Sequence, residues 1–234
     1  MKAKVYTAIL MVATSSFFMR GEESPKVSPV VGIDLVSQYI WRGQDLGDVS
    51  IQPTLGIEWR GLSFGAWGSS GFDKDDVKEL DFTLAYSRWG FTAGITDYWF
   101  DNGPGYFKYG AHDTAHVFEA HLGYDFKFAT LDWYTNFAGN DGVTRHGHRA
   151  YSSYAEVGVP FSILTVDWKA ELGFTPWGTT SYNASRFAVI DIAVGGRKDF
   201  IIADKVDLGV GAKLIFNPRD DKAYFVASIS ASLM

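Results

Sequence analysis

Apolar side chains recur at every second residue through twelve short stretches of this chain, as in Ile51-Leu55-Ile57-Trp59 and Val206-Leu208-Val210-Ala212-Leu214-Phe216. A period of two places such residues on one face of a β-strand. The pattern predicts strands near 30–41, 48–60, 62–70, 78–88, 90–100, 114–124, 127–138, 150–159, 163–174, 186–196, 205–216 and 223–233. Short turns are expected at Arg60-Gly61, Trp89-Gly90, Asp125-Phe126 and Pro160-Phe161, with a longer one over Arg197–Lys205. Between them lie longer connectors rich in turn residues: Gly71–Val77, Asp101–Gly110, Gly139–His148 and Thr175–Asn183. Short turns alternating with long loops predict an all-β fold, a transmembrane antiparallel up-and-down β-barrel of about 12 strands. No second domain and no internal repeat interrupts this order.

The start of the chain fits export. Lys2 and Lys4 precede an apolar run from Ala8 to Phe18, broken by Thr14, Ser15 and Ser16. This reads as a secretory signal peptide over about residues 1–21, followed by a short polar periplasmic lead at 22–29 and the barrel over 30–234. No later stretch is long and apolar enough for a membrane helix, so strands would have to do the crossing. Cysteine is absent, so neither disulfides nor a thiolate metal site can hold the fold. The formal charge is −6, and loss of Lys2, Lys4 and Arg20 with the leader would take it to about −9. An acidic chain without a basic patch argues against nucleic acid as a partner.

Alternation alone does not say which face is outside, because a soluble barrel would turn its apolar face inward. The polar face decides it. Ser50, Gln52, Thr54, Gly56, Ser63, Gly65, Thr83, Thr92, Gly94, Thr96, Gly209, Gly211, Ser228, Ser230 and Ser232 are small or uncharged, where a soluble exterior would carry lysine and glutamate. Aromatic residues collect at strand ends on the other face. Trp59, Tyr86, Tyr124 and Phe161 fall near short turns, and Tyr39, Trp41, Trp99, Phe137, Phe174 and Phe216 near long loops. Two such rings are the interfacial girdles expected of a lipid-facing barrel.

Ser37-Gln-Tyr-Ile-Trp-Arg-Gly43, followed by Ser50-Ile-Gln-Pro53 and Gly61-Leu-Ser-Phe-Gly-Ala-Trp67, resembles the TorF-type porins of bacterial outer membranes. The resemblance is specific over roughly residues 32–70 and architectural beyond. It implies a small outer-membrane barrel, made with the outer-membrane assembly machinery and working in a lipid bilayer on small solutes. The last residues, Ser230-Ala-Ser-Leu-Met234, depart from the usual ending of such barrels by lacking a terminal aromatic.

Parity then assigns the interior. Asp34, Glu58, Glu79, Asp81, Glu119, Asp132, Glu156, Asp167, Glu171, Asp191 and Asp207 are expected to face inward, opposed by Arg42, Lys169 and Lys213. Isolated buried charges are costly, so either water fills the lumen or pairs such as Asp167–Lys169, and Lys213 with nearby acids, cross-link it. The first case is a narrow porin-like channel, cation-preferring, for passive uptake of small hydrophilic or cationic solutes. The second is a plugged structural or surface-interaction barrel. Arg42, at the end of the first strand, could bind two lumen carboxylates or, more plainly, fix the barrel mouth together with Gly43. The loop carrying Tyr106, Phe107 and Tyr109 could fold inward as a constriction or lie in solvent.

Chemistry of other kinds finds little footing. An outer-membrane lipid hydrolase would need a serine beside a histidine on the lipid face. Ser153 and His116 have outward parity, but the strand between them sets them about 10 Å apart. His146 and His148 offer two imidazoles flanked by Arg145 and Arg149, which repel a metal cation. Asp73, Asp75 and Asp76 lack the glycine and closing glutamate of a calcium loop. No motif requires a cofactor, and none of these residues decides the oligomeric state.

Overall fold

The ladder that closes this molecule joins its first long strand to its last. The computed structural model describes residues 26–233 apart from 74, 75, 77, 111, 112 and 203–205. The wall consists of β1 (Ser28–Val36), β4 (Ser50–Trp59), β5 (Leu62–Gly71), β6 (Glu79–Arg88), β7 (Phe91–Phe100), β8 (His116–Asp125), β9 (Thr130–Gly139), β10 (Ser153–Ile163), β11 (Val166–Thr175), β12 (Ala188–Ile202), β13 (Val206–Asn217) and β14 (Lys222–Leu233). Each pairs antiparallel with its chain neighbour, and β1 also pairs β14, with Gly32 opposite Ser232 and Val36 opposite Ser228. The result is a closed barrel of 12 strands. The expected leader at 1–21 lies outside the described residues.

One ribbon shows how the wall is oriented. Along β4, Ser50, Gln52, Thr54 and Gly56 are buried, while Ile51, Leu55, Ile57 and Trp59 between them are exposed. The same holds around the barrel: Leu84, Ile95, Leu122, Leu172, Leu214 and Ile229 point outward and open. A continuous apolar belt of this kind would be strongly unfavourable in water and is favourable against lipid. Trp59, Tyr86 and Phe161 are exposed near the short turns, Phe137 and Phe216 near the long loops.

The first predicted strand, 30–41, is divided. β1 ends at Val36, and the chain then makes a separate hairpin of β2 (Tyr39–Trp41) and β3 (Gln44–Gly47). Arg42 and Gly43 at its tip both have positive φ, 51° and 74°. Arg60-Gly61 and Trp89-Gly90, which do turn the wall strands, share that feature. Two left-handed residues in succession make the tight reversal whose twist suits paired strands. Tyr39 and Trp41 are therefore not girdle residues: Tyr39 is buried and both side chains belong to the hairpin.

Three turns lie elsewhere than expected. β8 runs through Asp125 and reverses over 126–129. Pro160 and Phe161 stay in β10, opposite Lys169 and Trp168, and the reversal comes at Leu164-Thr165. Proline is tolerated there because Gly158 is the last β10 residue paired with β9, so no ladder bond on that side is lost at 160. Arg197–Ile202 is strand, paired residue by residue with β13 up to Ile202 opposite Val206. No helix among the described residues is long and apolar enough to cross a membrane.

Candidate functional site

At the long-loop end, the β2–β3 hairpin leaves the wall and crosses the lumen. Its root is apolar: Ile40 packs with Val36, Ala193, Ile215 and Val226, inward residues of β1, β12, β13 and β14. Hydrogen bonds tie it down: the Ser37 N–H donates to the Ala227 carbonyl at 2.9 Å, and the Asn217 side-chain amide to the Gly43 carbonyl at 2.9 Å. Gly43 sits so close to the Ile190 carbonyl that a Cβ would collide with it. From that root the tip reaches the opposite wall.

There Arg42 is almost wholly buried, at 2 % exposure. Its two terminal nitrogens donate to the two oxygens of Glu119 on β8, at 2.6 and 2.8 Å. Nη1 also donates to the Tyr182 hydroxyl at 2.7 Å. The guanidinium carbon lies 4.3, 4.2 and 4.7 Å from the ring centroids of Trp41, Tyr134 and Tyr154. Tyr182 comes from the short 3-10 turn Thr180–Tyr182 in the loop between β11 and β12, and burial raises its phenol to about 12. Arg42 thus binds one carboxylate in two places, not two carboxylates, and it does so from the hairpin tip, not from the end of a wall strand.

The remaining inward charges form two groups either side of this contact. On the β6 side, Tyr39 donates to Glu79 at 2.8 Å, and Asp81 follows two residues later on the same inward face of β6. Both acids are buried, and among the described residues neither is paired with a base. On the β10–β13 side, Lys169 bridges Glu156 at 2.9 Å and Glu171 at 2.8 Å, and Lys213 pairs with Glu171. The expected Asp167–Lys169 pair is not formed. Asp167 accepts from Ser162 at 2.7 Å, while the Lys169 stem passes over Gly158, where no side chain blocks it, to reach Glu156. Tyr154 donates to Glu156 and Asp191 at 2.9 and 3.2 Å. His121 pairs with Asp132 at 2.9 Å and stacks on Tyr134. Asp34, Glu58 and Asp207 are half-buried on β1, β4 and β13, Glu58 and Asp207 next to strand ends joined by short turns and Asp34 two residues before the Val36 end of β1.

Five tyrosines, Tyr39, Tyr98, Tyr134, Tyr154 and Tyr182, are as much a part of this layer as the charges; sequence reading put Tyr39 in the girdle and overlooked the other four. For Tyr98, Tyr134 and Tyr154 the signal was present: each shares strand parity with an inward residue, Thr96, Asp132 and Glu156 respectively. For Tyr182, on a loop, there was none.

Outside the barrel, the 101–110 loop does not constrict the lumen: Phe107 is 90 % exposed, while Tyr106 and Tyr109 rest on the outer wall. They pack on outward residues, Tyr106 against Phe82, Trp99 and His116, and Tyr109 stacked on His116 at 4.1 Å. His116 is buried beneath them, its Nδ1 2.7 Å from Asp97 and its Nε2 2.6 Å from the Tyr106 carbonyl. Ser153 is bonded instead to Thr135 and to the Tyr151 carbonyl. Among the described residues no group of three or more His, Asp or Glu is arranged to hold a metal ion.

No protein-family model and no curated protein matches the sequence. Among the solved structures with a similar fold are two porins. One is the KdgM porin, with TM-score 0.50 and 7% identity, over 88% of this chain and 98% of that one. The other is the NanC porin, with TM-score 0.50 and 9% identity, over 87% and 99%. At such identities the likeness is one of fold.

Proposed function

We propose that the protein is a narrow channel of the bacterial outer membrane, admitting small hydrophilic or cationic solutes, and that the β2–β3 hairpin holds it closed in the state described. The observation that carries this reading is the pairing of an apolar exterior with a buried, acid-rich interior. A barrel that needed only a stable core would fill it with apolar side chains, since paired buried ions give little net stability. Acids in excess of bases along a lumen raise the local concentration of cations and disfavour anions.

In this reading residues 1–21 are the export leader, and the chain is inserted by the outer-membrane assembly machinery with its long loops outside. The resemblance to TorF-type porins gains a structural meaning, because Ser37–Gly43 spans the ascending arm and tip of the hairpin. Asp34, Arg42, Glu58, Glu79, Asp81, Glu119, Asp132, Glu156, Asp167, Lys169, Glu171, Asp191, Asp207 and Lys213 would line the route or close it.

The near-complete burial of Arg42 favours a second reading, a permanently plugged barrel whose outer loops bind a partner. Planar-bilayer recording of the purified protein separates the two. The channel reading expects discrete steps with a reversal potential that shifts toward the cation potential under a salt gradient. Silence in bilayers, together with no swelling of proteoliposomes in small sugars or amino acids, leaves the plugged barrel, and clear anion selectivity defeats the acidic-lumen argument.

A further inference from the structure

The place that Arg42 occupies is organised by residues that do not need Arg42. Glu119 also accepts from Tyr98 at 2.8 Å. Tyr154 is held by its bonds to Glu156 and Asp191, and Tyr134 by the stacked His121 ring, 4.4 Å away and within 6° of parallel. These groups sit on wall strands β8, β9 and β10, whereas Arg42 and Trp41 arrive on a hairpin of two short strands. Occupant and cage are on separate elements, joined only by non-covalent contacts.

The cage has a definite chemical preference. A carboxylate offering both oxygens edge-on, a phenol oxygen beside it and two tyrosine rings 4.2 and 4.7 Å from the guanidinium carbon match a planar guanidinium. An ammonium, a hydrated point charge, can neither take the two parallel bonds nor stack in the same way.

We propose that the Glu119–Tyr134–Tyr154–Tyr182 cage is a binding site for guanidinium-bearing solutes, and that Arg42 is its built-in occupant, displaced by a solute guanidinium when the hairpin withdraws. The use of such a site in uptake rests on the channel reading; the binding itself does not.

The test uses the full mature chain folded in detergent micelles, carrying Arg42→Gly. Position 42 is left-handed, at φ 51°, so glycine removes the guanidinium and suits the backbone. Ethylguanidinium and ethylammonium are titrated at millimolar concentration while the unfolding midpoint is followed. The expected result is a saturable rise of about 3 °C or more with ethylguanidinium, little with ethylammonium, and none in Arg42→Gly combined with Glu119→Gln. A flat response to both cations, or equal rises in the double variant, overturns the proposal. Should Arg42→Gly fail to fold, the unmodified chain supplies the reading. Ethylguanidinium should change Trp41 emission saturably, measured as the difference from Trp41→Phe, and no change overturns the proposal. Silence in bilayers would end the channel reading while leaving these titrations to stand or fall separately.

Discussion

Arg42 and Glu119, seventy-seven residues apart in the chain, meet through two parallel hydrogen bonds of 2.6 and 2.8 Å, with both side chains at most 2 % exposed. Removing one member of a buried pair leaves the other charge without compensation, at a cost of about 3–5 kcal/mol. Most of that cost falls on the hairpin, because the barrel ladder continues without it. Glu119→Gln is therefore expected to release the hairpin while the barrel stays folded. Bilayer recording should find larger or longer-lived steps than in the parent protein, and proteolysis should find the chain around residue 42 newly cleavable. Unchanged conductance with an intact barrel would show that the pair does not hold the channel shut.

Gly43 gives an independent way to dislodge the same element. Its φ of 74° favours glycine, and a Cβ there would strike the Ile190 carbonyl. Gly43→Ala adds one methyl group and no charge, yet it combines left-handed strain of about 1–2 kcal/mol with that collision. It is expected to mimic Glu119→Gln in bilayers without altering ion preference. The cation-to-anion permeability ratio separates the two variants, since only Glu119→Gln also removes an acid.

The wall of this molecule was legible because strand parity is a local property, repeated often enough to survive single errors. Along β4, for instance, Ser50, Gln52 and Thr54 are buried and the residues between them exposed, as a period of two requires. Apart from three turns displaced along their strands, the failure that mattered came where one pair of left-handed residues changed the path. Trp41-Arg42-Gly43-Gln44 has the X-Gly turn seen at Arg60-Gly61, but alternation through Tyr39 and Trp41 hid it, so a lumen hairpin was read as the end of a strand. The cage around Arg42 was beyond reach for another reason. It joins residues from β8, β9, β10 and a loop, and which strands face one another across a closed lumen depends on shear and tilt, not on spacing along the chain.

Tyr39 ties the hairpin to the β6 wall through a single hydrogen bond to Glu79, 2.8 Å long. Tyr39→Phe keeps the ring and its packing on Trp67 while deleting that bond. A hydrogen bond to a charged partner contributes about 1.5–3 kcal/mol, and one to a neutral partner about 1. The variant should loosen the hairpin less than Glu119→Gln does. Hydrogen exchange at the β2–β3 amides orders the three proteins, with the parent slowest and Glu119→Gln fastest.

The orientation of the wall can be checked at two adjacent residues near the middle of β7. Ile95 points outward and is 49% exposed, whereas Thr96 points inward and is buried. If lipid covers the belt, Ile95→Arg places a charge near the bilayer centre and costs about 2–4 kcal/mol. Ile95→Leu should be close to neutral. Urea unfolding in lipid vesicles measures both, and an Ile95→Arg variant as stable as the parent would contradict a lipid-facing belt.

His116 and Asp97 are polar residues on the apolar side of the wall, 2.7 Å apart beneath Tyr106 and Tyr109. Each loses a partner without the other; together they satisfy one another, His116 also bonding the Tyr106 carbonyl, and give the 101–110 loop a floor to pack on. Replacing only His116 by leucine should destabilise the protein by about 1–3 kcal/mol, by leaving the Asp97 carboxyl without its partner. Replacing only Asp97 by leucine should do likewise through His116. The double replacement should recover much of the loss, because two apolar residues suit this face and leave neither of these side chains unpaired, only the Tyr106 carbonyl without its imidazole. A double-mutant cycle in vesicles reads the coupling directly. Additive losses would mean that the two residues act separately and that the tyrosines alone fix the loop.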